Sequence, residues 1–174
     1  DSSTSRGLGD VYKRQMCFVA GNGDYRLRTR ETKASTDELE LEALTLALKY
    51  LLKVGARKAV IESDSVAALE AVEQIVHKRG SKASRPGRTW RGVSSGARSR
   101  FQQAWGDIQG QCEVDIRRVL GHAGDPLNRA ADQIAYMGLR AIAHPMKQSR
   151  ETLREGIQNC LLYTSPSPRD VEES

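Results

Sequence analysis

The sequence lacks the features that mark membrane proteins, secreted proteins and proteins with a structural zinc site. No apolar run approaches the roughly 20 residues that a membrane-spanning helix requires, and the N-terminal stretch lacks the apolar centre of a secretory signal. The 174 residues include three cysteines, and Cys17, Cys112 and Cys160 do not have the spacing of a zinc site. We therefore expect a reducing, cytoplasmic setting, and neither a membrane nor a protein partner is indicated.

Acidic residues are missing from one long stretch of the chain. From His77 to Arg100 there are eight Lys or Arg residues and no Asp or Glu, whereas the whole chain has a formal net charge of only +5. A segment with this bias favours a polyanionic partner such as nucleic acid. A charged loop that contacts only solvent is the alternative.

Both ends of the chain resemble translated sequencing adaptor. Residues 5–15 resemble a forward translation of a transposase-end adaptor, and residues 160–170 resemble a translation of its reverse complement. We therefore expect residues 1–15 and 160–174 to be adaptor-derived, with a single domain over residues 16–159. Natural polar tails are the alternative. On this interpretation the domain begins at Met16 without its own first segment.

The first half of the remaining sequence predicts a hairpin followed by a helix. The composition, 39% hydrophobic and 28% charged, is ordinary for a globular domain. Residues 16–20 and 25–29 flank a Gly-Asn-Gly turn and predict two paired strands. Ser35 and Glu38 have the spacing of a capping box, and leucines at helical spacing follow until Gly55 ends the helix.

The second half predicts alternating strands and helices. Residues 58–61 predict a strand before a helix, residues 100–110 a short helix, and residues 112–116 another strand. Asp125 and Pro126 suit the start of a last helix. The predicted order is strand, strand, helix, strand, helix, basic segment, helix, strand, helix, with all strands in one mixed sheet.

Three acidic residues are predicted near one edge of that sheet. Glu40 lies beside the buried stripe of the first helix, Asp64 follows a strand, and Asp132 lies early in the last helix. Taken singly, Glu40 could be a residue at the flank of the buried stripe, Asp64 a helix cap, and Asp132 a solvated side chain. Converging carboxylates repel one another unless a cation joins them, and oxygen ligands favour Mg²⁺ or Mn²⁺. Two such ions suit phosphodiester hydrolysis.

These acidic residues lie in motifs that resemble type 1 ribonuclease H. Residues 39–48 resemble the family's helix motif, residues 60–65 its strand motif ending in a catalytic Asp, and residues 120–132 its His loop and last catalytic Asp. The resemblance covers nearly all of residues 16–143 in the right order. It implies an α/β fold of the ribonuclease H-like kind, a mixed β-sheet with flanking helices.

The resemblance also implies roles for individual residues. Glu40, Asp64 and Asp132 would be catalytic residues that bind two Mg²⁺ or Mn²⁺ ions, and His122 would be the catalytic histidine, although a Gly-flanked His could equally be a surface residue. The basic segment at residues 77–100, followed by Phe101 and Trp105, would be a handle that contacts the phosphates of an RNA/DNA hybrid. The expected nucleic-acid-binding residues are Lys78, Arg79, Lys82, Arg85, Arg88, Trp90, Arg91 and Asn128.

The sequence departs from the family pattern at two places. The family's first catalytic Asp lies on a central strand ahead of the hairpin, and this first central strand is missing. Asp10 lies in the adaptor-like residues and is not assigned its role. The family commonly has Asn-rich residues just before the helix Glu, whereas residues 36–38 here are Thr, Asp and Glu. The contacts of this segment with the hybrid are therefore undefined.

We expect the intact parent protein to be an endonuclease that hydrolyses the RNA strand of RNA/DNA hybrids, and this chain alone to be inactive. One alternative is the ribonuclease H domain of a reverse transcriptase or retroelement polyprotein. The other is a hybrid-binding module without catalysis.

Overall fold

A computed structural model describes residues 12–32, 34–77, 93–120, 125–143 and 150–162. The chain starts with a hairpin in which strand β1 (Tyr12–Val19) pairs antiparallel with β2 (Tyr25–Thr32), so the predicted hairpin is confirmed. Gly23 takes a positive φ of 86° in the turn, a conformation that glycine adopts without strain. Residues 12–15 pair with β2 although the sequence places them in the adaptor, and their origin stays a prediction.

Helix α1 (Thr36–Val54) follows the hairpin. The Ser35 hydroxyl accepts a 3.1 Å hydrogen bond from the Glu38 N–H, which confirms the predicted N-cap. Gly55 ends the helix in the left-handed conformation, and its N–H bonds to carbonyls of the last turn. Tyr50 ties this helix to the hairpin turn, since its hydroxyl donates to Asp24 and accepts from Asn22 Nδ2 at 3.2 Å.

The second half of the chain builds a parallel strand pair. Strand β3 (Lys58–Ser63) pairs with β4 (Glu113–Arg118), and helices α2 (Val66–His77) and α3 (Ser95–Ile108) lie between them in sequence. The expected single mixed sheet is thus two separate two-stranded sheets in the described ranges. No strand in the described ranges joins β1 to β3.

Helix α3 begins earlier than predicted and carries core aromatics. Ser94 caps it by accepting from the Ala97 N–H at 3.2 Å, and the Ser94 N–H and hydroxyl both donate to the Glu38 carboxylate at 3.0 Å. Phe101 is fully buried and stacks with Trp105 at a centroid distance of 6.2 Å. These two aromatics therefore belong to the core and not to an exposed substrate surface.

Strand β1 separates two layers of the core. Met16 and Phe18 pack with residues of α1, whereas Cys17 and Val19 pack with residues of α4 (Pro126–Ala143) and α5 (Arg150–Leu162). Because alternate side chains of a strand point to opposite faces, α1 and α4 cover opposite faces of β1. No helix in the described ranges is long and apolar enough to cross a membrane.

Helix α5 was not predicted from the sequence. Its Ile157 and Leu161 are buried against α4, and Leu153 continues the same stripe at helical spacing. The helix includes residues 160–162, which the sequence assigns to adaptor, so this assignment hid the periodicity.

Candidate active site

A cavity of about 330 Å³ lies between the two sheets. Successive residues of β1 and β3 form two of its sides, and residues of α1 and α4 form the other two. Three predicted catalytic residues, Glu40, Asp64 and Asp132, all line this cavity. The fold therefore brings together acidic side chains that are up to 92 positions apart in the sequence.

Glu40 is the most perturbed of the three carboxyl groups. It is half-buried on α1. Burial, followed by the negative charges of Asp64 and Asp132, raises the pKa of Glu40 from 4.5 to about 7. The three acids thus interact electrostatically, and near neutral pH the site favours the uptake of a proton or a cation.

Asp64 follows the last residue of β3 and is held by helix α4. Its Oδ2 accepts a 3.2 Å hydrogen bond from Nδ2 of Asn128. Ser65 caps α2, because its hydroxyl accepts from the Ala68 N–H at 3.2 Å and its carbonyl from the Leu69 N–H at 3.1 Å. The helix-cap alternative for Asp64 is therefore wrong.

The first turn of α4 places two more residues of interest. Asp125 Oδ1 accepts from the Asn128 N–H at 2.7 Å, which confirms Asp125 as the predicted cap. Asn128, a predicted nucleic-acid-binding residue, directs its side-chain amide to Asp64. Asp132 follows one turn later and is exposed at the cavity.

The sequence did not predict a second contact between acidic side chains, that of Glu62 with Asp125. Burial raises the pKa of Glu62, and the charge of Asp125 together with a hydrogen bond between the two side chains raises it further. Both residues line the same cavity as Asp64. The available signal was the position of Glu62 two residues before Asp64 at the end of a predicted strand, since residues two apart in an extended chain point to the same side.

The donors in the cavity have the chemistry for a hard divalent cation but are not gathered into a ligand cluster. Carboxylate oxygens are the preferred protein ligands of Mg²⁺. Within the described residues, no group of three or more acidic, His or Cys side chains is placed to hold a metal ion. Glu40, Asp64 and Asp132 would have to draw closer together to share one.

Several predicted site residues lie outside the described residues. They are the proposed catalytic histidine and the basic residues and tryptophan of the handle, His122, Lys78, Arg79, Lys82, Arg85, Arg88, Trp90 and Arg91. Two parts of the predicted handle are described. Residue 77 is the last residue of α2, and residues 93–100 lead into α3 and form its first turns.

The sequence matches a known protein family. A sequence model of the RNase H family matches residues 3–140, which is most of the chain and includes the three motifs around Glu40, Asp64 and Asp132. The match also covers the adaptor-like residues 5–15. No curated protein matches the chain. The mixed α/β architecture, with five helices and two small sheets in the described ranges, is consistent with that family's fold. The chain belongs to the RNase H family.

Proposed function

We propose that the intact protein is a metal-dependent endonuclease that hydrolyses the RNA strand of RNA/DNA hybrids. Family membership supports a nuclease of this class. The observation that carries the finer proposal is the convergence of Glu40, Asp64 and Asp132 on one cavity, where two of the charges raise the pKa of the third.

The negative charge of the carboxylates has to be compensated by cations before an anionic substrate can bind. A phosphodiester is an anion, so Glu40, Asp64 and Asp132 would repel it in the absence of compensating charge. Two Mg²⁺ or Mn²⁺ ions held by these residues would activate a water molecule and stabilise the leaving oxygen. Asn128 would keep the Asp64 carboxylate oriented through its 3.2 Å hydrogen bond.

Two further roles belong to residues outside the described ranges. His122 would transfer protons near the reacting phosphate, since a histidine titrates close to neutral pH. The basic segment would contact the phosphates of the hybrid and position it without reading its sequence. The exposed position of Asp132 leaves the cavity open to such a substrate.

A second candidate is a hybrid-binding module without catalysis. The lack of a ready ligand cluster among the described residues favours it. Such a module would bind the hybrid with the same salt dependence as a nuclease but would release no product. A nuclease domain within a reverse transcriptase or retroelement polyprotein would behave as the main proposal does, and polymerase sequence upstream in the parent gene would identify it.

The test is cleavage of an RNA/DNA hybrid with labelled RNA by this chain and by its full-length parent. We expect the parent to cut the RNA with Mg²⁺ or Mn²⁺, to stop in excess chelator, and to act weakly on duplex DNA or single-stranded RNA. Equal cleavage of duplex DNA, or full activity in chelator, would contradict the proposal. Metal-independent binding without any cleavage by the parent would establish the second candidate.

A further inference from the structure

Strand β4 has one edge without a neighbouring strand in the described ranges, since it pairs only with β3. The N–H groups of Glu113, its first residue, and Val119, the residue after its last, donate to carbonyls on the β3 side at 2.8 and 3.0 Å. Successive N–H groups of a strand point to opposite sides, so those of Val114, Ile116 and Arg118 point to the outer edge. Such an edge is a template for another strand.

The charges of β4 are complementary to those of a second copy of the same strand. In an antiparallel pair with Ile116 opposite Ile116, Asp115 of each copy lies opposite Arg117 of the other. Sliding one strand by two residues in either direction keeps the outward backbone groups paired, but it sets Asp115 opposite Asp115 or Arg117 opposite Arg117. Opposite charges across a strand pair are stabilising and like charges are destabilising. Charge therefore selects the register centred on Ile116.

An apolar groove of about 510 Å³ flanks the same edge. Residues of β4 and α2 line it together with Trp105, and no described residue of β3 does so. Its walls include Val72 and Val76 of α2 as well as Val114 and Ile116, which are only half-buried in one copy of the chain. A second β4 strand would place its own Ile116 on this side of the sheet and would cover part of the groove.

We infer that the outer edge of β4 is an interface between two copies of this chain, which pair antiparallel about Ile116 into one sheet with the strand order β3, β4, β4, β3. Charged side chains often protect an edge strand from pairing, but those of β4 complement themselves. Within one copy Asp115 and Arg117 contact each other at 2.6 Å, and more than half of each side chain is exposed, so both stay within reach of the second copy. A strand of six residues buries little surface, so the dimer is weak.

Sedimentation equilibrium of the full chain, from micromolar to submillimolar concentration, measures this association. Asp115→Arg and Arg117→Asp each set like charges opposite one another twice in the dimer. Each variant should therefore self-associate at least about tenfold more weakly than the unaltered chain. Mixing the two variants should restore association, because each supplies the charges that the other lacks. Recovery in the mixture would also show that neither substitution prevents folding.

Three results would overturn the proposal. The first is a monomer at every concentration, and the second is a dimer that both variants leave unchanged. The third is association of labelled Asp115→Arg with the unaltered chain in preference to Arg117→Asp, since this would indicate a different register.

Glu155→Arg is the matched control, because it makes the same change in net charge as Asp115→Arg at an exposed residue of α5, a helix that packs on α4. It should leave the dimer unchanged. Equal weakening by Glu155→Arg and Asp115→Arg would mean that net charge governs association and would contradict the proposed interface.

Amide hydrogen exchange followed by NMR gives a readout of the backbone pairing itself. Exchange at Val114, Ile116 and Arg118 should slow as the protein concentration rises, whereas exchange at Glu113 and Arg117, whose N–H groups face β3, should not change. A dimer without slower exchange at the three outward amides would place the interface elsewhere. These measurements use neither metal nor nucleic acid, so their failure would leave the nuclease proposal standing.

Discussion

Asn128 Nδ2 donates a 3.2 Å hydrogen bond to Asp64 Oδ2, and this contact joins the first turn of α4 to the end of β3 across 64 positions of sequence. The backbone N–H of the same Asn128 is held by the helix cap Asp125. A single residue thus fixes both the start of α4 and one carboxylate of the candidate site.

Asn128→Ala removes this tether. A part-buried hydrogen bond contributes about 1 kcal/mol net, so we expect the free energy of unfolding to fall by about that amount. Chemical denaturation measures it. Asn159→Ala is the matched control, because Asn159 is an exposed residue on α5. A loss no larger than that of the control would show that the contact does not stabilise the fold.

The raised pKa of Glu40 makes folding stability depend on pH. The folded value of about 7 exceeds the ordinary 4.5, so the folded state binds the extra proton in between. The contribution of Glu40 to stability is therefore greatest below pH 4.5 and declines as the pH rises through 7, by at most about 3 kcal/mol. In metal-free buffer, Glu40→Gln should remove this decline, and denaturation of both proteins from pH 4 to 8 tests it. Parallel profiles would mean that Glu40 does not titrate in this way.

Asp64→Asn and Asp132→Asn should each abolish hybrid cleavage by the parent protein while leaving hybrid binding nearly unchanged. Each removes one negatively charged oxygen ligand but none of the basic segment, and the Ser65 cap of α2 remains in the Asp64 variant. Cleavage assays and binding titrations measure the two effects. Asp107→Asn, at an exposed residue of α3, is the control and should cut normally. Unchanged turnover in either site variant would exclude that residue from catalysis.

Neutralising Arg85, Arg88 and Arg91 together should weaken hybrid binding and flatten its salt dependence. Each lost phosphate contact reduces the slope of log K against log salt by up to about 0.9 on duplex DNA. The control neutralises Lys49, Lys53 and Arg57, exposed residues at the end of α1 and just beyond it, for the same change in net charge. Slopes that change equally in the two triple variants would assign the effect to net charge and not to the basic segment.

Local patterns in the sequence were sufficient for most of the elements. The hairpin, the caps Ser35 and Asp125, and the end of α1 at Gly55 were predicted because turn and cap chemistry acts over a few residues. The approach of Glu40, Asp64 and Asp132 was predicted because strand ends and helix starts meet at one edge of an α/β sheet.

Longer-range contacts were not predictable in this way. No local pattern indicates that Glu38 binds Ser94, 56 positions later, or that Asn128 binds Asp64. Phe101 was grouped with the basic segment because of its neighbours in sequence, whereas its burial depends on α1. The separation of the strands into two sheets also depends on pairing partners that periodicity does not identify.

The contact of Tyr50 with the hairpin turn has a consequence for the alignment of the two hairpin strands. A slip by one residue in β1 would turn Cys17 and Val19 towards α1 and would move Met16 to the opposite layer. By holding Asp24 and Asn22, Tyr50 fixes the turn at one place on α1 and so opposes such a slip. One phenol hydroxyl, on the same helix as Glu40, thereby helps to set which side chains form the cavity wall beside the carboxylates.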